Sequence, residues 1–152
     1  MRLAIFCIAV CVNLTPATAS EDARAAATTI LRVLGSTTEL LSECSGAIGI
    51  NDSAQTPAIT EADQRVFTDL YEAAVKDNAA YDNVVHAILG DTEYRRIRSQ
   101  AIAGIAQLAV ANQANFLYRC RLLPAEAQRH AGVFAPLSAR YPAEMRVIDE
   151  WR

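Results

Sequence analysis

Residues 27–48 read ATTILRVLGSTTELLSECSGAI, and Ala27, Ile30, Leu34, Thr37, Leu41, Cys44 and Ile48 recur in them at alternating spacings of three and four. Thr29, Arg32, Ser36, Glu39 and Glu43 fall on the other side. Such a spacing follows the 3.6-residue helical turn, so the stretch is an amphipathic helix with one seam directed at a core. The pattern reaches back to about Glu21. Gly35, in its middle, costs about 1 kcal/mol relative to alanine, and a bend or a close approach by another helix is expected there.

Two more helical segments follow. Gly49 to Thr60, with Gly, Asn, Asp, Ser and Pro57, is a loop. Thr60 and Asp63 have the spacing of a helix-capping pair. The second helix is expected to run to Leu89 on a seam of Phe67, Leu70, Ala74, Tyr81, Val85 and Ile88, with a kink or break at the polar Lys76-Asp77-Asn78. Gly90 is a helix stop and Asp91 a cap for the next start. The third helix is expected to continue to about Leu123, burying Ile97, Ala101, Ile105, Leu108, Asn112, Phe116 and Cys120, with Pro124 ending it or opening its successor. Shorter pieces, Ala125 to Ala135 and Ala143 to Trp151, are set off by Pro136 and Pro142. No segment has the alternation of a strand, and there is no internal repeat. The expected fold is therefore all-α: an antiparallel bundle of three long helices, its open side covered by short C-terminal helices.

The first residues belong outside that fold. Met1-Arg2 is a basic start, Leu3 to Leu14 is apolar except for Asn13, and Pro16 is followed by Ala17-Thr18-Ala19, the small-x-small pattern of a signal-peptidase site. Twelve residues are too few for a membrane-spanning helix, which needs about 20. A lipoprotein leader does not fit either, because Cys7 follows Phe6 and Cys11 follows Val10. Residues 1–19 are thus expected to be a cleaved leader and residues 20–152 a single domain. Cleavage removes two of the four cysteines. Cys44 and Cys120 remain, and in an oxidising compartment they are expected to form a disulfide. If the first and third helices run in the same direction, both thiols lie near the same end of the bundle.

Charge excludes some functions. Formal net charge is −3, and loss of Arg2 with the leader makes it −4; a nucleic-acid partner would require a basic face. Lysine occurs once, at Lys76, while arginine and alanine are common. That bias fits a GC-rich bacterial genome and a periplasmic destination; in a eukaryotic secreted chain Asn51-Asp52-Ser53 would accept a glycan. Neither a CxxC nor a Cys/His cluster supplies zinc or covalent-haem ligands. His86 and His130 are the only histidines. A non-covalent haem held by one of them with Met145 competes with the simpler reading of surface histidines. The acidic pairs Glu61 with Asp63, Asp91 with Glu93, and Asp149 with Glu150 fall at helix ends, where those at helix starts complement the dipole without catalysis.

The most unusual string is Tyr94-Arg95-Arg96-Ile97-Arg98. Cations in a first helical turn oppose the helix dipole at about 0.3–1 kcal/mol each. A local rule broken in this way is a signature of function. Arg95 and Arg98, three apart, share a face and could together hold an acidic surface; a solvated helix face is the simpler account. The expected function is binding of a protein partner without catalysis, as an inhibitor, immunity protein, adaptor or chaperone. No catalytic residue, metal or cofactor, nucleic acid or membrane span after cleavage is expected, and the sequence does not specify an oligomeric state. The alternatives are a small helical enzyme with scattered Arg and Glu residues and a ligand or haem carrier. The exported protein is expected to begin at Ser20 and to carry no free thiol. Intact-mass measurement with and without reductant checks both; a retained leader, or thiols that alkylate without reduction, would overturn them.

Overall fold

In a computed structural model, residues 19–50, 58–129 and 135–152 are described. Residues 1–18 of the leader, the Asn51 acceptor and His130 lie outside the described residues. The described residues form helices α1 (Glu21–Gly46), α2 (Glu61–Leu89), α3 (Asp91–Ala111), α4 (Gln113–Arg129), α5 (Leu137–Arg140) and α6 (Pro142–Trp151). No strand occurs among them, and the fold is all-α.

Helix α1 begins where Ser20 Oγ accepts a hydrogen bond from the Ala23 amide at 3.1 Å, with Glu21 and Asp22 in the first turn at the positive end of the dipole. Its expected seam is buried at Ala27, Ile30, Leu41 and Cys44, and burial extends beyond it to Ala23, Ala26 and Leu31. The reason is that α1 is covered by α2, α3 and α6, with α4 against its end. At Gly35 the close approach is real: a Cβ on that residue would stand 3.0 Å from the Ala101 Cβ of α3.

Helix α2 starts at a reciprocal capping box. Thr60 Oγ1 accepts from the Asp63 amide, and Asp63 Oδ2 accepts from the Thr60 amide at 2.8 Å. The expected interruption at 76–78 does not occur, and the helix runs unbroken to Leu89. Gly90, at φ +77°, then turns the chain directly into α3, a left-handed conformation that favours glycine. Asp91 is the first residue of α3 and not its cap, so its carboxylate acts on the dipole from inside the first turn.

The expected single third helix is two helices. Asn112 has φ −144° and ψ 69°, outside the helical region. Its amide closes α3 on the Leu108 carbonyl, while its Oδ1 accepts from the Asn115 amide at 3.1 Å. An asparagine side chain that competes for backbone donors favours caps over helix interiors, which is why the joint falls here and why Asn112 is exposed rather than buried. Pro124, expected to be a boundary, is buried inside α4, which continues to Arg129.

Residue pairings fix where α4 goes. Along α3, Glu93 pairs with Arg24, Ala101 meets Gly35, and Ala109 and Val110 share a surface cavity with Gly46 and Ala47. Along α4 the order reverses: Gln113 and Phe116 line that same cavity, Cys120 is bonded to Cys44, and Glu126 lies in another cavity with Thr37 and Leu40. The disulfide, with Cα atoms 5.4 Å apart, is therefore formed as expected but reached by a chain that doubles back at Asn112. It closes a separation of 76 residues, for which the chain-entropy model gives about 4.5 kcal/mol as an upper figure.

Two core clusters result. One joins the first half of α1 to the end of α2, the start of α3, Leu137 of α5 and Met145 and Ile148 of α6. The other gathers Leu41, Cys44, Ile59, Phe67, Phe116, Leu117, Cys120 and Leu123 around the disulfide. Because the bond lies inside the second cluster, Cys44→Ser or Cys120→Ser is expected to lower stability by about 2–4 kcal/mol while helical content survives. Denaturant midpoints followed by circular dichroism measure it, and an unchanged midpoint would show that the bridge contributes little.

Candidate functional site

Between the two clusters the packing of α2 on α1 opens to the surface. Among the described side chains of α2, none is buried between Phe67 and Val85, and Tyr71 and Val75 are each 41% exposed. On the facing side α1 presents Gly35. A cavity of about 200 Å3 lies there. Leu31, Leu34, Gly35 and Thr38 of α1 line it, with Tyr71, Val75, Ala79 and Asp82 of α2 and Arg98 of α3. Thr38 Oγ1 donates to its own helix, at the carbonyls of Leu34 and Gly35, so its proton is used there and it offers the cavity an acceptor only.

The polar end of the cavity is a three-residue chain. The Tyr94 hydroxyl donates to Asp82 Oδ1 at 2.6 Å and accepts from Arg98 Nη1 at 3.1 Å. Tyr94 is buried, and the Arg98 guanidinium carbon stands 6.0 Å from its ring centroid. Burial raises the Tyr94 hydroxyl above the ordinary tyrosine value; the hydrogen bond to Asp82 and the charge of Asp82 add to that rise, and Arg98 partly opposes it. The phenol thus holds its proton at neutral pH and separates an acid from a base, both of which line the cavity.

The arginine string has partners for most of its charge. Arg95, 75% exposed, holds Asp91 through two contacts, Nε to Oδ1 at 3.0 Å and Nη2 to Oδ2 at 2.9 Å. Arg96 donates to Gln100 Oε1 at 3.0 Å and stands 3.6 Å from Glu93, which also binds Arg24. Arg98 is the member of the string with no direct ion pair among the described residues; Asp82 is reached only through the Tyr94 hydroxyl. The two arginines expected to act together are turned to different partners: Arg95 outward to Asp91, Arg98 to the cavity.

Other candidates are accounted for locally. His86 Nε2 lies 3.4 Å from Asp91 Oδ1, and its ring packs edge-on against Tyr94 at 4.7 Å. Met145 is buried among core side chains. Asp149 faces Arg152, and Glu150 faces Arg146. Among the described residues there is no group of three or more His, Cys, Asp or Glu placed to hold a metal ion, and no helix is long and apolar enough to cross a membrane.

Sequence reasoning found Arg98 and missed Asp82. Tyr94 and Arg98, four apart on one helix, were a readable pair; Asp82 reaches them only across the turn at Gly90. No protein-family model, curated protein or solved structure matches the chain.

Removing the hydroxyl tests whether the three residues act as a unit. Tyr94→Phe is expected to cost about 1–2 kcal/mol at neutral pH, because Asp82 and Arg98 lose their shared partner. The folded phenol binds its proton more tightly than the unfolded one, so its stabilising contribution is whole below pH 10 and falls as pH rises beyond that value. Denaturation series should show a steeper loss above pH 10 in the parent than in Tyr94→Phe; parallel losses would remove Tyr94 from the account.

Proposed function

We propose that the protein is an exported, periplasmic binding protein that acts without catalysis, built on an antiparallel bundle of helices and recognising its partner at the corner where α2 meets α3. The observation that carries this reading is Arg98, which forms no direct ion pair with a described carboxylate, reaches Asp82 only through the Tyr94 hydroxyl, and lines a cavity between two packed clusters. Arg95 supports it. Surface ion pairs such as Arg95–Asp91 contribute about 0–1 kcal/mol, so a carboxylate on a partner can replace Asp91 at little cost. Fixed acids on the partner would then meet Arg95 at the rim and Arg98 at the cavity mouth. Arginine suits that role because its planar fork matches a carboxylate in two hydrogen bonds.

The fold behind the corner is suited to holding such a surface. Arg24 donates to the Ile88 carbonyl at 3.2 Å and pairs with Glu93, which ties α1 to the end of α2 and the start of α3. The conserved geometry on binding is therefore expected to be the helix ends, with only the arginine heads moving.

Capture from a periplasmic extract with the mature, oxidised protein would supply the partner, and the double substitution Arg95→Ala with Arg98→Ala decides its contact. Binding to that partner is expected to weaken at least about tenfold and to lose part of its salt dependence, with the helical spectrum unchanged. Equal binding by parent and double variant at every salt concentration would show that the corner is a solvated helix face.

A further inference from the structure

The cavity shares Arg98 with the surface proposed for a protein partner, but Asp82 and an apolar wall give it a chemical character of its own. We propose that it binds a small zwitterion with an apolar side chain, of the class of the aliphatic α-amino acids.

Size sets the first limit. About 200 Å3 is room for about seven water molecules, well below the roughly 300–1,000 Å3 of sites for drug-sized ligands. A molecule the size of leucine fits within that volume. The lining sets the second. Leu31, Leu34 and Val75 make the cavity apolar away from its polar end, and the Thr38 hydroxyl proton is committed to its own helix.

Charge decides the class. Asp82 and Arg98 both line the cavity, yet they form no direct ion pair; one tyrosine hydroxyl stands between them. A ligand with only a carboxylate would satisfy Arg98 but meet Asp82 as a like charge, and a ligand with only an ammonium would meet Arg98 in the same way. A molecule bearing both groups matches both. An α-amino acid carries its ammonium and carboxylate on one carbon, a separation on the scale set by a single bridging hydroxyl. Its carboxylate accepts from the guanidinium, its ammonium donates to the Asp82 oxygen that Tyr94 leaves free, and its side chain enters the leucine-lined part of the cavity.

The test uses the mature, oxidised protein with three probes of like shape: L-leucine, 4-methylpentanoate, which lacks the ammonium, and 3-methylbutylamine, which lacks the carboxylate. Titration is followed by the methyl signals of Leu31, Leu34 and Val75. L-leucine is expected to saturate at or below about 1 mM and each single-charge probe to bind at least about tenfold more weakly. In Asp82→Asn the order should reverse, 4-methylpentanoate binding more tightly than L-leucine, a change that mere loosening of the fold does not produce. Parent protein that binds 4-methylpentanoate as tightly as L-leucine, or that shows no saturable methyl shift with L-leucine, overturns the proposal; this series decides the matter if the variant does not fold. None of these results requires the protein partner, so failure here is distinguishable from failure of the partner surface.

Discussion

Helix α3 lies tightest against α1 at residue 35, which has no side chain. A Cβ there would meet that of Ala101 at 3.0 Å, closer than packed carbon atoms normally stand. The missing methyl brings the two backbones together. It also sets the height at which Arg98 and Tyr94, about one and two turns earlier in α3, stand relative to α1 and α2. Glycine weakens an isolated helix, and here that weakness is offset by burial of α1 beneath several neighbours.

Burial of α1 from several directions has a second consequence. A seam designed for one partner would leave Ala23, Ala26 and Leu31 at the boundary, yet all three are buried in a helix that packs against α2, α3 and α6. The small alanines let those helices approach, and each large side chain fully removed from water contributes roughly 1.5–3 kcal/mol. Packing is nevertheless divided. The disulfide cluster and the cluster near α6 hold opposite ends of α1, while the middle of α2, rich in alanine, has too little side-chain volume to fill the space between them. The cavity is the consequence of that shortage, and the helix ends on either side keep it from collapsing.

Electrostatics at the α2–α3 corner follows from helix ends rather than from the arginines alone. Asp91 and Glu93 sit in the first turn of α3, where they complement the dipole's positive end, and each also holds an arginine. The conflict visible in the sequence is thereby largely relieved. What is left over is one guanidinium, that of Arg98, turned toward a phenol whose proton is held by burial and by Asp82. Exposed pairs such as Arg95–Asp91 exchange readily with solvent and partners, whereas the Tyr94 contact lies at the edge of the core and fixes the charge in place.

Helical period, caps and turn residues are properties of neighbouring positions, and the sequence alone specified them: the α1 seam, the Thr60–Asp63 box, the stop at Gly90 and the all-helical class. It also specified the cysteine pairing, since export would leave only Cys44 and Cys120. Local pattern overstated the third helix, because Phe116 and Cys120 continue the three-and-four spacing of Ile105, Leu108 and Asn112 even though the chain turns back at Asn112. The polar 76–78 segment misled in the other direction, since a long helix packed at both ends tolerates a solvated middle. Arg98 was legible as an odd charge, but its meeting with Asp82 was not. That meeting depends on the angle between α2 and α3, on the approach permitted by Gly35, and on the absence of any side chain large enough to fill the gap; only the tertiary structure sets these, because each is a distance between residues remote in sequence.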